Sequence, residues 1–88
     1  MVRHPLTAAQ VAAGHRVGRA LRAARGDRPL ADVAAAARIS PETLRKIETG
    51  RLPSPAFGTV VALSRALDVD LDDLAGLWAG DALGVRAG

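Results

Sequence analysis

The sequence predicts an all-α domain, a compact bundle of five helices, on three observations. Apolar residues recur at helical spacing in five segments. Each segment opens at a capping residue or a proline and closes at glycine or loop residues. No stretch alternates apolar and polar as a half-buried strand does, and there is no internal repeat. The 88 residues suffice for one modest core, since a chain of this size buries only about 60 to 65% of the surface its unfolded form exposes. Aromatic residues make up 2%, so Ala, Leu and Val must do the packing.

The first helix is expected to start at Ala8, with Thr7 as cap, Gln10 completing a capping box, and Leu6 with Val11 spaced for a hydrophobic staple. Val17, Ala20, Leu21 and Ala24 share one face, whereas Val11 lies more than a quarter-turn away. Gly14 or Gly18 is therefore expected to bend or interrupt the segment. The helix ends near Arg25, where Gly26 suits a left-handed C-terminal residue and Pro29 follows. A short second helix runs from Leu30 to Ala37, with Val33, Ala34 and Ala37 on one buried face. Small residues there let a crossing helix approach closely.

Ser40 caps a third helix, Pro41 takes its first position, and Leu44 and Ile47 form its inward stripe. Gly50 closes it, and the loop that follows holds Pro53 and Pro55. A fourth helix is read from Ala56 to Leu67 with Phe57, Val60, Val61, Leu63, Ser64 and Leu67 facing inward. Asp70 caps a fifth, Leu71 to Trp78, with Asp72 and Asp73 where the helix dipole favours anions. Residues 1–78 are thus expected to form the folded domain and residues 79–88, with three glycines, a flexible tail.

Charge is distributed unevenly. Residues 1–51 carry ten Arg or Lys against Asp27, Asp32, Glu42 and Glu48, a balance of +6. Residues 52–88 carry two against five aspartates, a balance of −3. One half suits a polyanion and the other suits something else. With no cysteine, no membrane-length apolar run and no signal peptide, a cytoplasmic protein is expected. His4 and His15 do not make a metal site, and no cofactor is expected. A phosphate loop, a paired acid and base and a nucleophile elbow are all absent from the sequence, which argues against an enzyme.

Helices two and three have the pattern of a helix-turn-helix. Val33, Ala34, Ala37, Ile39, Leu44 and Ile47 hold its apolar or small positions, Glu48-Thr49-Gly50-Arg51 follows, and Thr59 to Leu74 continues into helices four and five. On these residues, 17 to 74 resemble the Xre family of helix-turn-helix proteins, that of the lambdoid phage repressors and Cro. The resemblance implies a lambda-repressor-like fold and a transcriptional regulator that binds duplex DNA. There are three departures from the family's pattern. Arg38 stands where the tight turn usually has Gly, and Leu30 stands where many members carry a phosphate-bonding Gln. One extra residue occurs near Asp27 and another between Leu52 and Pro55.

A helix enters the major groove when one face rests on a scaffold and the other offers hydrogen-bonding groups to base edges. The reading helix is Ser40 to Thr49, and its expected base-contacting residues are Pro41, Glu42, Arg45 and Lys46. Arg45 and Lys46 suit guanine; Glu42 either accepts from cytosine or pairs with Lys46 at i, i+4. Ser40, Thr43, Thr49 and Arg51 are expected at phosphates. The resemblance implies an ion pair between Glu48 and an arginine of helix one, with Arg22 the closest match and Arg25 the alternative. Leu74, Leu77 and Trp78 suggest a homodimer, or else Trp78 closes the core. The rival reading is an antitoxin or adaptor that binds another protein through the acidic stretch from Asp68 to Asp81.

Overall fold

Thr7 and Gln10 open the first helix by exchanging two hydrogen bonds. The Thr7 hydroxyl accepts from the Gln10 amide at 3.1 Å, and the Gln10 side-chain oxygen accepts from the Thr7 amide at 2.8 Å. The computed structural model describes residues 5–80, in which five helices follow one another: α1 (Ala8–Arg25), α2 (Leu30–Ala36), α3 (Pro41–Glu48), α4 (Phe57–Leu67) and α5 (Leu71–Ala79). No strand occurs among the described residues. Ala79, expected at the start of a flexible tail, is instead the last residue of α5, and Gly80 turns left-handed; residues 81–88, the rest of that expected tail, lie outside the described residues.

Short helices need their ends satisfied, and this chain satisfies most of them locally. Ser40 accepts from the Thr43 amide at 3.0 Å, and Asp70 from the Asp72 amide at 2.8 Å. Helix α2 ends in a Schellman turn: the Arg38 amide bonds the Ala35 carbonyl and the Ile39 amide bonds the Ala34 carbonyl. The turn requires Arg38 to adopt φ 60°, the left-handed region in which a side chain is strained. Asp68 closes α4 in the same region at φ 57°.

The core gathers one side of every helix. Leu21, Leu44, Ile47 and Leu63 are fully buried, joined by Val17, Val33, Ala34, Ala37, Leu67 and Leu74. Helix α1 packs on α3, α4 and α5, while α2 packs on α3 and α4. Buried Ser64 donates to the Val69 carbonyl, so no buried side-chain polar atom among the described residues lacks a partner. Arg16 reaches across from α1 and donates to the Leu77 carbonyl at 2.7 Å and the Trp78 carbonyl at 3.3 Å. It thereby satisfies the C-terminal end of α5, which has no basic residue of its own.

Several sequence-based expectations are corrected. Helix α1 has no break at Gly14 or Gly18; both glycines are buried where other backbone comes close. A Cβ at Gly14 would lie 2.5 Å from Pro53, and one at Gly18 would collide with the Ile47 carbonyl oxygen. Phe57 does not join the inward face of α4: it stands on the first turn, 73% exposed, at the edge of an open cleft. Arg22 does not pair with Glu48. Arg25 does, through two hydrogen bonds of 2.7 and 3.1 Å. The reason is helical phase: Arg25 is four residues beyond buried Leu21 and shares its direction, whereas Arg22 is turned about 100° away and donates to the Gly26 carbonyl.

Two predictions follow from these backbone constraints. Gly18→Ala should lower unfolding free energy by about 2 kcal/mol despite alanine's better helix propensity, because α3 must retreat. Gly76→Ala, where a Cβ meets nothing within 4 Å, should raise it by about 0.5–1 kcal/mol. Urea titration of both variants checks the pair; equal effects would refute the close approach. Arg38→Gly should raise stability by about 0.5–1 kcal/mol by relieving the left-handed turn, read as a rise in Tm of a few degrees.

Candidate nucleic-acid interface

Helix α3 is held by its inner face and by both ends. Leu44 and Ile47 are buried, Ser40 caps the start, and the end is closed by Gly50 at φ 80° with the His15 ring of α1 lying over it. A side chain at Gly50 would displace that ring, and the left-handed conformation itself favours glycine. His15 therefore has a packing role; His4 lies outside the described residues.

The Arg25–Glu48 pair fixes the edge of α3 that faces α1. Its side chains are only 13% and 6% exposed, and two parallel hydrogen bonds make it a fork that resists rotation. Hydrogen bonding to the carboxylate, with its charge attraction, pushes the Arg25 guanidinium above its usual basicity, and burial opposes this only in part. The Arg25 guanidinium therefore keeps its charge at any working pH near neutrality. Arg25 also donates to the Arg28 carbonyl at 2.7 Å, which ties the loop before α2 to the same point.

The opposite face of α3 is open. Pro41, Glu42 and Arg45 are exposed and Lys46 is half-buried, so the four residues expected at base edges share one solvent-facing surface. Glu42 and Lys46 approach to 3.9 Å, but their side chains are 79% and 44% exposed. Such a pair contributes only a few tenths of a kcal/mol and is readily exchanged for another partner. Arg45 forms no ion pair with any described residue, so its charge is available.

The hydroxyls divide by position. Ser40 and Thr43 share one hydrogen bond of 2.8 Å between their oxygens, which leaves one of their two O–H donors free at the start of the helix. Thr49 turns its hydroxyl back to the Arg45 carbonyl at 2.8 Å and so serves the end of its own helix. Arg51 is exposed immediately beyond. Between α1 and α3 runs a groove of about 350 Å³ lined by Arg22, Arg25, Leu30, Arg45, Glu48 and Thr49. Three guanidiniums face one carboxylate there, and that carboxylate is already neutralised.

The face remote from α3 has a different character. Leu74, expected on a dimer surface, is 2% exposed and belongs to the core of its own chain, because α5 lies along α1. Leu77 is half-buried and Trp78 is 37% exposed. Trp78 and Phe57 border an apolar cleft of about 450 Å³, floored by Val17, Val60 and Leu74. Asp68, Asp70, Asp72 and Asp73 are exposed nearby in sequence, and Asp81 lies outside the described residues. Sequence reasoning missed the cleft, the Arg16 tie and the choice of Arg25 over Arg22. Only the last left a signal, the i, i+4 spacing from Leu21.

No helix of the described chain is long and apolar enough to cross a membrane. A comparison with curated proteins finds no match. Among solved structures, the chain is similar to the clp gene regulator ClgR from C. glutamicum, with 27% identity and a TM-score of 0.66, covering 94% of this chain and 100% of that one. A family model described as a helix-turn-helix domain matches residues 16–77, from Arg16 in α1 to Leu77 in α5. The match takes in the close approach of α1 to α3, the turn at Arg38 and the open face of α3, and the chain belongs to the helix-turn-helix domain family.

Proposed function

We propose that this protein is a transcriptional regulator of the Xre type that binds duplex DNA sequence-specifically, placing α3 in the major groove. The observation that carries the reading is the division of α3 into a locked inner face and an outer face that offers bases an Arg45 unpaired among the described residues and a Lys46 held only by its weak pair with Glu42. Arg45 offers two parallel N–H donors to guanine O6 and N7, worth about 1–3 kcal/mol of discrimination against another base. Pro41 and Glu42 shape the same surface, with Glu42 able to leave Lys46 for a cytosine amino group. Ser40, Thr43 and Arg51 anchor the backbone on either side, and Thr49 contributes chiefly by closing the helix. The likeness to a protein titled a clp gene regulator adds support, since alignment spans the whole of that chain. The role is one of binding, without catalysis or cofactor, in the cytoplasm.

The regulator acts as a homodimer in this reading. Trp78 and Phe57, with half-buried Leu77 beside Trp78, supply apolar surface away from the open face of α3, so two copies joined there would present both reading helices to one side of the DNA. The same cleft favours a second reading, in which its occupant is a different protein and the chain is an antitoxin or adaptor. Aspartates near the cleft would then meet a basic partner.

Fluorescence anisotropy with genomic duplex fragments at two salt concentrations separates the readings. Binding should be tight at low salt and weaken steeply as salt rises; Arg45→Ala should also narrow the gap between preferred and random fragments by about tenfold. Absence of binding at low salt would sink the regulator. Sedimentation with and without DNA tests the dimer: Trp78→Ala should shift the wild-type dimer toward monomer, and a wild-type chain that stays monomeric on DNA would exclude it.

A further inference from the structure

Arg22 is left over by the pairings that α1 makes. Arg25 takes Glu48, Arg16 takes the α5 carbonyls, and Arg28 reaches the Ala24 and Ala66 carbonyls at 3.3 and 3.4 Å. Arg22 spends one of its five N–H donors on the Gly26 carbonyl and forms no ion pair with any described residue. It lines the groove beside α3, opposite Arg45. Arg19, three residues earlier, is exposed on the same flank of α1 and is likewise without an ion pair among the described residues. One further turn back, His15 covers Gly50, so this flank runs alongside the end of α3.

A helix about 10–12 Å across fills a major groove about 12 Å wide, so whatever flanks it meets the sugar-phosphate walls. Helices α1 and α2 both pack on α3. The exposed residues of α2 are Ala31, Asp32, Ala35 and Ala36, which offer no cation, whereas α1 offers Arg19 and Arg22.

We infer that Arg19 and Arg22 form a phosphate-binding row on α1, a second and sequence-independent anchor for the backbone of duplex DNA. The inference rests on the regulator reading and assigns it contacts outside the helix-turn-helix. Phosphodiester oxygens enter the groove between Arg22 and Arg45, where the field is positive because Arg25 already neutralises Glu48. Arg22 is therefore a DNA contact rather than a member of the structural pair.

The test uses the full chain and anisotropy titrations over a range of salt, with both a preferred duplex and a random-sequence duplex. Arg19→Gln and Arg22→Gln should each make the log-log salt dependence shallower by about 1, and the double variant by about 2, with equal loss on both duplexes. Arg22→Lys should keep the wild-type slope because it keeps the charge. Arg65→Gln, an exposed arginine on α4 away from α3, should change nothing. Thermal unfolding checks that the variants remain folded. An unchanged slope in the double variant, with wild-type DNA binding intact, would overturn the row, as would a loss confined to the preferred duplex. Wild-type protein that fails to bind either duplex would instead overturn the regulator reading on which the row rests.

Discussion

The close approach of α1 to α3 is the constraint from which the rest of the structure follows. Gly18 lets the backbone of α1 lie against the carbonyls that end α3, and Gly14 does the same against Pro53 in the next loop. Without side chains at these two positions, α3 can rest on α1 along its edge while Leu44 and Ile47 fill the core beneath. The contact also determines which charges are dry. Glu48 and Arg25 are carried into the seam by the approach itself, and their desolvation, several kcal/mol per ion, is offset by two short parallel bonds. The pair is better understood as fixing register between two helices than as a source of net stability.

The remaining charges are wet, and that is what makes them useful. Arg45, Lys46 and Arg51 surround a helix that cannot rotate, so a ligand meets groups whose mean positions are set although their tips move. The Glu42–Lys46 pair holds too little energy to resist a base or a phosphate. At the other pole of the domain, Arg16 secures the last turn of α5 and leaves Phe57 and Trp78 at the edge of an apolar cleft. The basic surface on α3 and the apolar cleft beside α5 are thus carried by two different partners of the same helix, α1.

Local rules made much of this legible in the sequence. Caps at Thr7, Ser40 and Asp70, the proline after Ser40 and the glycines at 26 and 50 are short-range signals, and the helices begin and end within one or two residues of where those signals place them. The left-handed turn at Arg38 was legible through the family resemblance, which places a tight turn where this chain has Arg in place of Gly. What escaped depends on partners distant in sequence. Gly14 and Gly18 look like helix breakers until the backbone that fills their space is known, and Phe57 looks buried until its place at the mouth of an open cleft is known. Leu74 and Trp78 are four residues apart on α5, yet one serves the core and the other the surface, a division that periodicity alone does not draw. Arg25 is intermediate: the family resemblance offered it only as the alternative to Arg22, whereas its helical phase relative to Leu21 carries it to Glu48.

The claim at the centre of this account is that α1 holds the reading helix in place through a coupled pair. A double-mutant cycle on unfolding free energy tests it most directly, with Arg25→Met, Glu48→Gln and the two combined. The account predicts that the single losses are not additive, with a coupling of about 1–3 kcal/mol and the double variant less destabilised than the sum. Additive losses, within about 0.5 kcal/mol, would contradict it.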